Sequence, residues 1–186
     1  MGLSASGKTT LAHLLGKTLK EQGFSIAILD GDIVRTNLSK GLGFSRGDRE
    51  TNLRRIAEKA KELVRQHVVT IVAAISPYHA TRQEVRSIIG DLVEVYVNCP
   101  LEVCISRDPK GLYKKALAGE ILQFTGIGDV FETPVHPDLE VKTHAGAPEE
   151  CLSQILCGLQ ALRRLPADPP APQQNKEKEM SESQSR

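Results

Sequence analysis

The segment Gly2-Leu3-Ser4-Ala5-Ser6-Gly7-Lys8-Thr9 constrains this chain more than any other stretch, because it satisfies the pattern GxxxxGK[ST]. Gly2 and Gly7 let the backbone curl so that its N–H groups converge on phosphate oxygens. Lys8 supplies a point charge to the β/γ-phosphates and Thr9 a hydroxyl to Mg²⁺, while a helix starting there aims its positive end at the ligand. That helix is legible. Leu11, Leu14, Leu15 and Leu19 recur at helical spacing between Gly7 and Gln22, and Gly23 stands where a C-terminal cap favours glycine. Nucleotide phosphate binding is the first functional expectation.

The rest of the pattern supplies a scaffold for such a loop. Residues 25–29 are short, apolar and partly β-branched, a buried strand that delivers Asp30-Gly31-Asp32 to its carboxyl end. A helix is expected from about Asp48 to Gln66, with Ile56, Ala60, Leu63 and Val64 inward. A second strand runs over 68–75 and stops at Ser76-Pro77; a helix follows over 81–89, then a third strand over 92–97. Strands buried on both faces and alternating with helices predict a three-layer α/β/α fold around a parallel sheet. Ligands bind such sheets at the carboxyl ends of the strands, where Asp30-Gly31-Asp32 and Ser76-Pro77-Tyr78 fall. A loop of the GxxxxGK[ST] kind connects a strand to its helix, yet only Met1 precedes Gly2, so the first strand reads as missing or truncated. Its two neighbours would lose ladder partners.

Residues 107–137 lose regularity and fill with Gly, Lys and Thr, as a lid over the site would. A last helix, about Pro148 to Leu162, places Leu152, Ile155, Leu156 and Leu159 on one face. From Pro166 onward the chain is Pro, Gln, Lys, Glu and Ser, too polar to repay ordering. The expected organisation is one domain over 1–163 and a disordered tail over 164–186.

Composition narrows the partners. A net charge of +1 gives no global field for nucleic acid or an anionic membrane, so anion binding must come from local Arg and Lys. No apolar run approaches the roughly 20 residues of a membrane helix, and no leader is legible. Cys99, Cys104, Cys151 and Cys157 lack CxxC spacing, and the histidines are scattered. Reduced thiols in a cytoplasmic protein without a structural metal are the expectation.

On the acceptor side, Asp30 and Asp32 straddle one glycine beside the expected Mg·ATP. One carboxylate can hold Mg²⁺ or orient a hydroxyl nucleophile while the other binds the acceptor; a solvated acidic turn is the bland alternative. Arg35 lies one helical turn beyond Asp32. Arg49 and Asn52 share a helix face as donors for phosphate or base edges, although an Arg-rich helix is usually a solvated face.

The ordered set of these segments resembles the adenylyl-sulfate (APS) kinase family. It comprises 2–10, Leu29-Asp30-Gly31-Asp32 with Arg35, Phe44-Ser45 with Asp48-Arg49 and Asn52, and Ile75-Ser76-Pro77-Tyr78. It continues through Arg107-Asp108, Lys110-Gly111-Leu112-Tyr113-Lys114-Lys115-Ala116, Gly119-Glu120-Ile121 and Phe124-Thr125-Gly126-Ile127. The resemblance implies transfer of the γ-phosphoryl of ATP to the 3′-hydroxyl of APS, giving PAPS and ADP, in a protein that is typically a homodimer. It implies that Ala5, Ser6, Gly7, Lys8, Thr9 and Thr10 hold the ATP phosphates. Asp32, Arg35, Phe44, Ile75, Ser76, Lys114, Ile127 and Gly128 line the APS site, and Arg49 and Asn52 lie between the nucleotides. Ser76 would bind substrate, with direct in-line transfer. Lys8, Mg²⁺ and Lys110 or Lys114 would neutralise the transferring phosphoryl. Phe44 and Phe124 are candidates to stack on the APS adenine, or ordinary core residues.

The chain departs from the family's usual pattern at four places. Ala5 replaces a loop glycine, which a negative φ would tolerate. Pro109 enters the lid's approach, Gly128 stands for Asp, and Phe131 for Tyr. Two other readings remain open: a different P-loop small-molecule kinase, and a truncated, inactive P-loop protein with a nucleotide-binding or regulatory role.

Overall fold

The computed structural model describes residues 1–37, 39–43 and 45–165, with the side chains of 35–37 outside the description. Helix α1 (Lys8–Glu21) leaves Gly7, whose φ of 96° only glycine adopts freely, and buries Leu11, Leu15 and Leu19. Then follow β1 (Ile26–Asp30), α2 (Gly31–Asn37), α3 (Arg46–Arg65), β2 (Val69–Ala73), α4 (His79–Ile89) and β3 (Val95–Asn98). The chain continues with α5 (Leu101–Arg107), α6 (Leu112–Leu117), β4 (Leu139–Lys142) and α7 (Pro148–Ala161).

Among the described residues the sheet is split into two parallel pairs. β1 pairs with β2 (Ile28 opposite Ile71), and β3 pairs with β4 (Val97 opposite Val141). Met1 and Gly2 bridge the seam at the carboxyl ends. Met1 N donates to Val95 O (2.7 Å) and Val97 N to Met1 O (2.8 Å), the slanted pattern of a parallel ladder, while Gly2 N reaches Ile75 O at 3.3 Å. These two residues therefore stand where the sequence predicts the end of a first strand. β1 and β2 are only half-buried over their first four residues, rather than buried on both faces. In a two-stranded sheet every strand has one open edge.

One core cluster joins α1, β3, β4 and α7 through Leu11, Leu15, Leu19, Val97, Val141, Cys151 and Ile155. A second packs α2 and α3 on the sheet through Val34, Leu53, Ile56 and Ala74. The third holds the lid to the phosphate loop, with Cys104 and Tyr113 at 0% exposure and Leu3 and Ala5 against them. Each fully buried leucine contributes about 1.5–3 kcal/mol.

Helix α3 starts two residues earlier than its apolar pattern suggests, because Ser45 Oγ caps it by accepting from Asp48 N (3.2 Å). α5, α6 and β4 carry too few residues for periodicity to announce them. The lid region therefore contains a helix: Asp108 caps α6 by accepting from Tyr113 N (3.1 Å) and Lys114 N (3.0 Å). Among the described residues no helix is long and apolar enough to cross a membrane. The tail expected from 164 lies, from 166 onward, outside the described residues.

Candidate active site

The carboxyl ends of β1 and β2, the phosphate loop and the start of the lid enclose a cavity of about 580 Å³. Ala5, Gly7, Lys8, Thr9 and Thr10 form its floor. Lys8 Nζ folds back to donate to Leu3 O (2.5 Å), and burial lowers its pKa to about 8, opposed in part by the Asp32 and Asp30 carboxylates. Ala5 has a φ of 57°, so the negative φ that would make an alanine harmless here is not the one adopted. The loop must turn left-handed here, at a cost of about 1–2 kcal/mol for a residue with a Cβ. Two tertiary bonds hold it there. Tyr113 Oη donates to Ser4 O (3.1 Å), and Thr143 Oγ1 donates to Ser6 O (2.8 Å).

Thr9 and Asp30 meet directly, Thr9 Oγ1 donating to Asp30 Oδ2 at 2.7 Å. The other carboxylate oxygen of Asp30 accepts from Asp32 N (2.9 Å), so Asp30 is buried and held on both sides. A hydroxyl and a carboxylate oxygen this close form a hard donor pair that fits Mg²⁺, which keeps most of its remaining ligands as water and phosphate. Asp32 instead points outward and ion-pairs with Lys110 from the lid, an interaction that raises the Lys110 pKa. Both side chains are more than half exposed, so the pair is weak.

The wall expected to face the acceptor is Ile75, Ser76 and Pro77. Ser76 has a φ of 48°, a conformation costing about 1–3 kcal/mol, and Arg82 Nη1 secures it by donating to Ser76 O (2.9 Å). Arg49 and Asn52 complete this side; Arg49 is 6% exposed and Asn52 Oδ1 is buried without a hydrogen-bond partner among the described residues. A buried acceptor aimed at a cavity is suited to a ligand donor.

Other expected residues lie elsewhere. Phe124 is a core residue, not a stacking platform: it is 4% exposed, edge-on to Tyr113 at 4.9 Å, and absent from the cavity wall. Its ring is consumed in joining the lid to α5 and α6, which favours the core alternative for this residue. Ser6 is fully buried and absent from the cavity lining, and Lys114, Ile127 and Gly128 are exposed outside the cavity. A Cβ on Gly128 would collide with the Leu122 carbonyl, so the lid turn takes a form the family's usual Asp does not fit. Phe131 stacks on Tyr96 at 6.1 Å, a contact that needs no hydroxyl. Phe44 and the side chain of Arg35 lie outside the described residues.

The far end of the cavity was not legible as a site. Thr143, Gly146 and Pro148 line it beside Arg107, whose Nη2 donates to Thr143 O (2.7 Å). The Arg107-Asp108 pair was visible as a segment; nothing in residues 143–148 announces a cavity wall, because their placement depends on β4.

A phosphate loop, a carboxylate held against its threonine, a second carboxylate at the acceptor wall and a basic lid together define a P-loop phosphotransferase. The profile of the Adenylylsulphate kinase family matches residues 1–142. The chain belongs to that family. It is 55% identical to an adenylyl-sulfate kinase of Rippkaea orientalis over 87% of this chain and 89% of that one. It is 53% identical to the Chloroflexus aurantiacus adenylyl-sulfate kinase, over 87% of each. Among solved structures, the Mycobacterium tuberculosis APS kinase in complex with AMPPNP and APS superposes with a TM-score of 0.82 at 41% identity, covering 86% of this chain and 94% of that one.

Proposed function

We propose that this protein transfers the γ-phosphoryl of ATP to the 3′-hydroxyl of APS, giving PAPS and ADP. The observation that carries the reading is the convergence of Lys8, Thr9–Asp30, Asp32 and Arg49–Asn52 on one cavity, in a chain whose relatives of like length are adenylyl-sulfate kinases. The loop amides and Lys8 bind the ATP phosphates, with α1 aiming its positive end at them. Asp30 faces the Mg²⁺ position with Thr9, and the bound ion would neutralise charge on the β- and γ-phosphates. Asp32, not engaged with Thr9, is then the residue that orients the 3′-hydroxyl. It releases Lys110 to the anionic ligands when the acceptor arrives. Ser76 binds the acceptor through the wall that Arg82 secures, and transfer is in line. Four free thiols support work in the reducing cytoplasm, and the homodimer implied by the family resemblance is part of the same proposal.

The test is purified protein with Mg²⁺, γ-labelled ATP and APS, beside controls without APS and with Lys8→Ala. Labelled PAPS that needs APS and falls by roughly 10²–10³-fold in Lys8→Ala is the expected result. A cooperatively folded wild type that makes no PAPS would overturn the reading.

A further inference from the structure

The lid turn meets the acceptor wall through one carboxylate that the reaction described above does not use. Tyr78 Oη donates to Asp129 Oδ2 at 2.6 Å, and Arg49 Nε lies 3.7 Å from the same oxygen. Arg49 Nη2 donates to Gln123 O at 2.5 Å, also in the lid. The second oxygen of Asp129 accepts from Val130 N (2.9 Å), which orients the carboxylate from behind. Tyr78 is 1% exposed, and the Arg46 guanidinium covers its ring at 4.4 Å. A backbone bond from Glu132 N to Pro77 O (2.9 Å) closes the joint between lid and wall.

Two features make this more than a surface latch. Arg49 and Pro77 line the cavity, whereas Asp129 does not, so the carboxylate touches the reacting space only through its neighbours. The guanidinium is a rigid plane with donors in fixed directions; a hydrogen bond at Nη2 and an ion-pair contact at Nε, both from the lid, constrain how that plane faces the cavity. A buried cation without a nearby carboxylate would also carry a large desolvation cost.

We propose that Asp129 is a positioning residue for phosphoryl transfer: it sets the Arg49 guanidinium against the nucleotide phosphates and couples that setting to lid closure through Tyr78. The proposal rests on the reaction assigned above. Tyr78 keeps its proton, since burial and Asp129 raise its pKa to about 12, so the tyrosine remains the donor at any working pH.

The experiment is a double-mutant cycle between Asp129→Asn and Arg49→Ala, read in three ways: PAPS formation, ADP binding by calorimetry, and thermal unfolding. The asparagine preserves shape and an acceptor for Tyr78 but removes the charge facing Arg49. In the Arg49 background, Asp129→Asn should lower kcat about tenfold or more and weaken ADP about three- to tenfold, read well below a Tm that the loss of the carboxylate facing Arg49 lowers. In the Arg49→Ala background both effects should vanish, because the group being positioned is gone. Losses that add across the two backgrounds, or kcat and ADP affinity within twofold of wild type, would overturn the proposal. A Tm drop that accounts for the activity loss would reduce Asp129 to a structural anchor and overturn it too. Should Asp129→Asn not fold, Tyr78→Phe runs the same cycle from the other partner, deleting only the hydroxyl. If wild type makes no PAPS, the assigned reaction fails, and the ADP-binding cycle alone decides the role of Asp129.

Discussion

The two walls of the cavity are built by different means. On the donor side the work is done by contiguous backbone: residues 2–9 curl, α1 follows at once, and side chains from afar only brace the curl, as Tyr113 does at Ser4 and Thr143 at Ser6. On the acceptor side nearly every functional group is set by a partner distant in sequence. Arg49 is held by Gln123, 74 positions away, and Asp32 by Lys110, 78 positions away. The first wall is encoded by a short motif that distant side chains only brace. The second exists only when α3, the 75–78 turn and the lid are assembled.

The sharpest way to break this contrast is to separate the two carboxylates. Asp30→Asn should lower kcat about 100-fold and raise the Mg²⁺ needed for half-maximal rate, because it removes the charge facing Thr9. Asp32→Asn should leave the Mg²⁺ titration unchanged and act on kcat and on KM for APS. A Mg²⁺ titration of each variant checks both, and a Mg²⁺ shift in Asp32→Asn would invert the assignment.

The pH response follows from Lys8. Its folded pKa is about 8 against an ordinary 10.5, owing to burial, so the free protein holds fewer protons than the unfolded chain between those values. Stability of the empty protein from this group therefore rises with pH across that window. ADP affinity runs the opposite way, falling by up to about tenfold per pH unit above 8 as the loop loses its cation, with proton uptake on binding. Calorimetry in buffers of different ionisation enthalpy measures that uptake; its absence at pH 8 would contradict the lowered value.

Smaller effects probe each wall's margin. Lys110→Ala breaks an exposed ion pair and should change KM for APS about threefold while leaving KM for ATP unchanged. Steady-state kinetics decide it. Ala5→Gly relieves a left-handed alanine and should stabilise the protein by about 1 kcal/mol, seen as a rise in Tm of a few degrees. No rise would mean that packing against the Cys104–Tyr113 cluster already offsets the strain.

Legibility followed the same division. The phosphate loop, α1, β1, α3, β2, α4 and α7 could be read because each is a continuous run with its own periodicity. Asp30 and Asp32 could be named as a pair, but their separate roles could not, since only the Thr9 contact tells them apart. In sequence Phe124 reads equally as an adenine-stacking ring or a core residue; packing against Tyr113 favours the core. Asp129 carried no signal, as a lone Asp in a lid is ordinary until Tyr78 and Arg49 are seen around it.

By itself, then, the amino-acid sequence determined the α/β class, the phosphate-binding loop and the order of segments that marks the family, because these depend on interactions among near neighbours. The tertiary structure alone decided that Ala5 and Ser76 turn left-handed, that Asp30 rather than Asp32 faces Thr9, and that the lid grips Arg49. Those outcomes are balances of burial, strain and hydrogen bonding between residues that meet only after folding, and no local pattern records which balance wins.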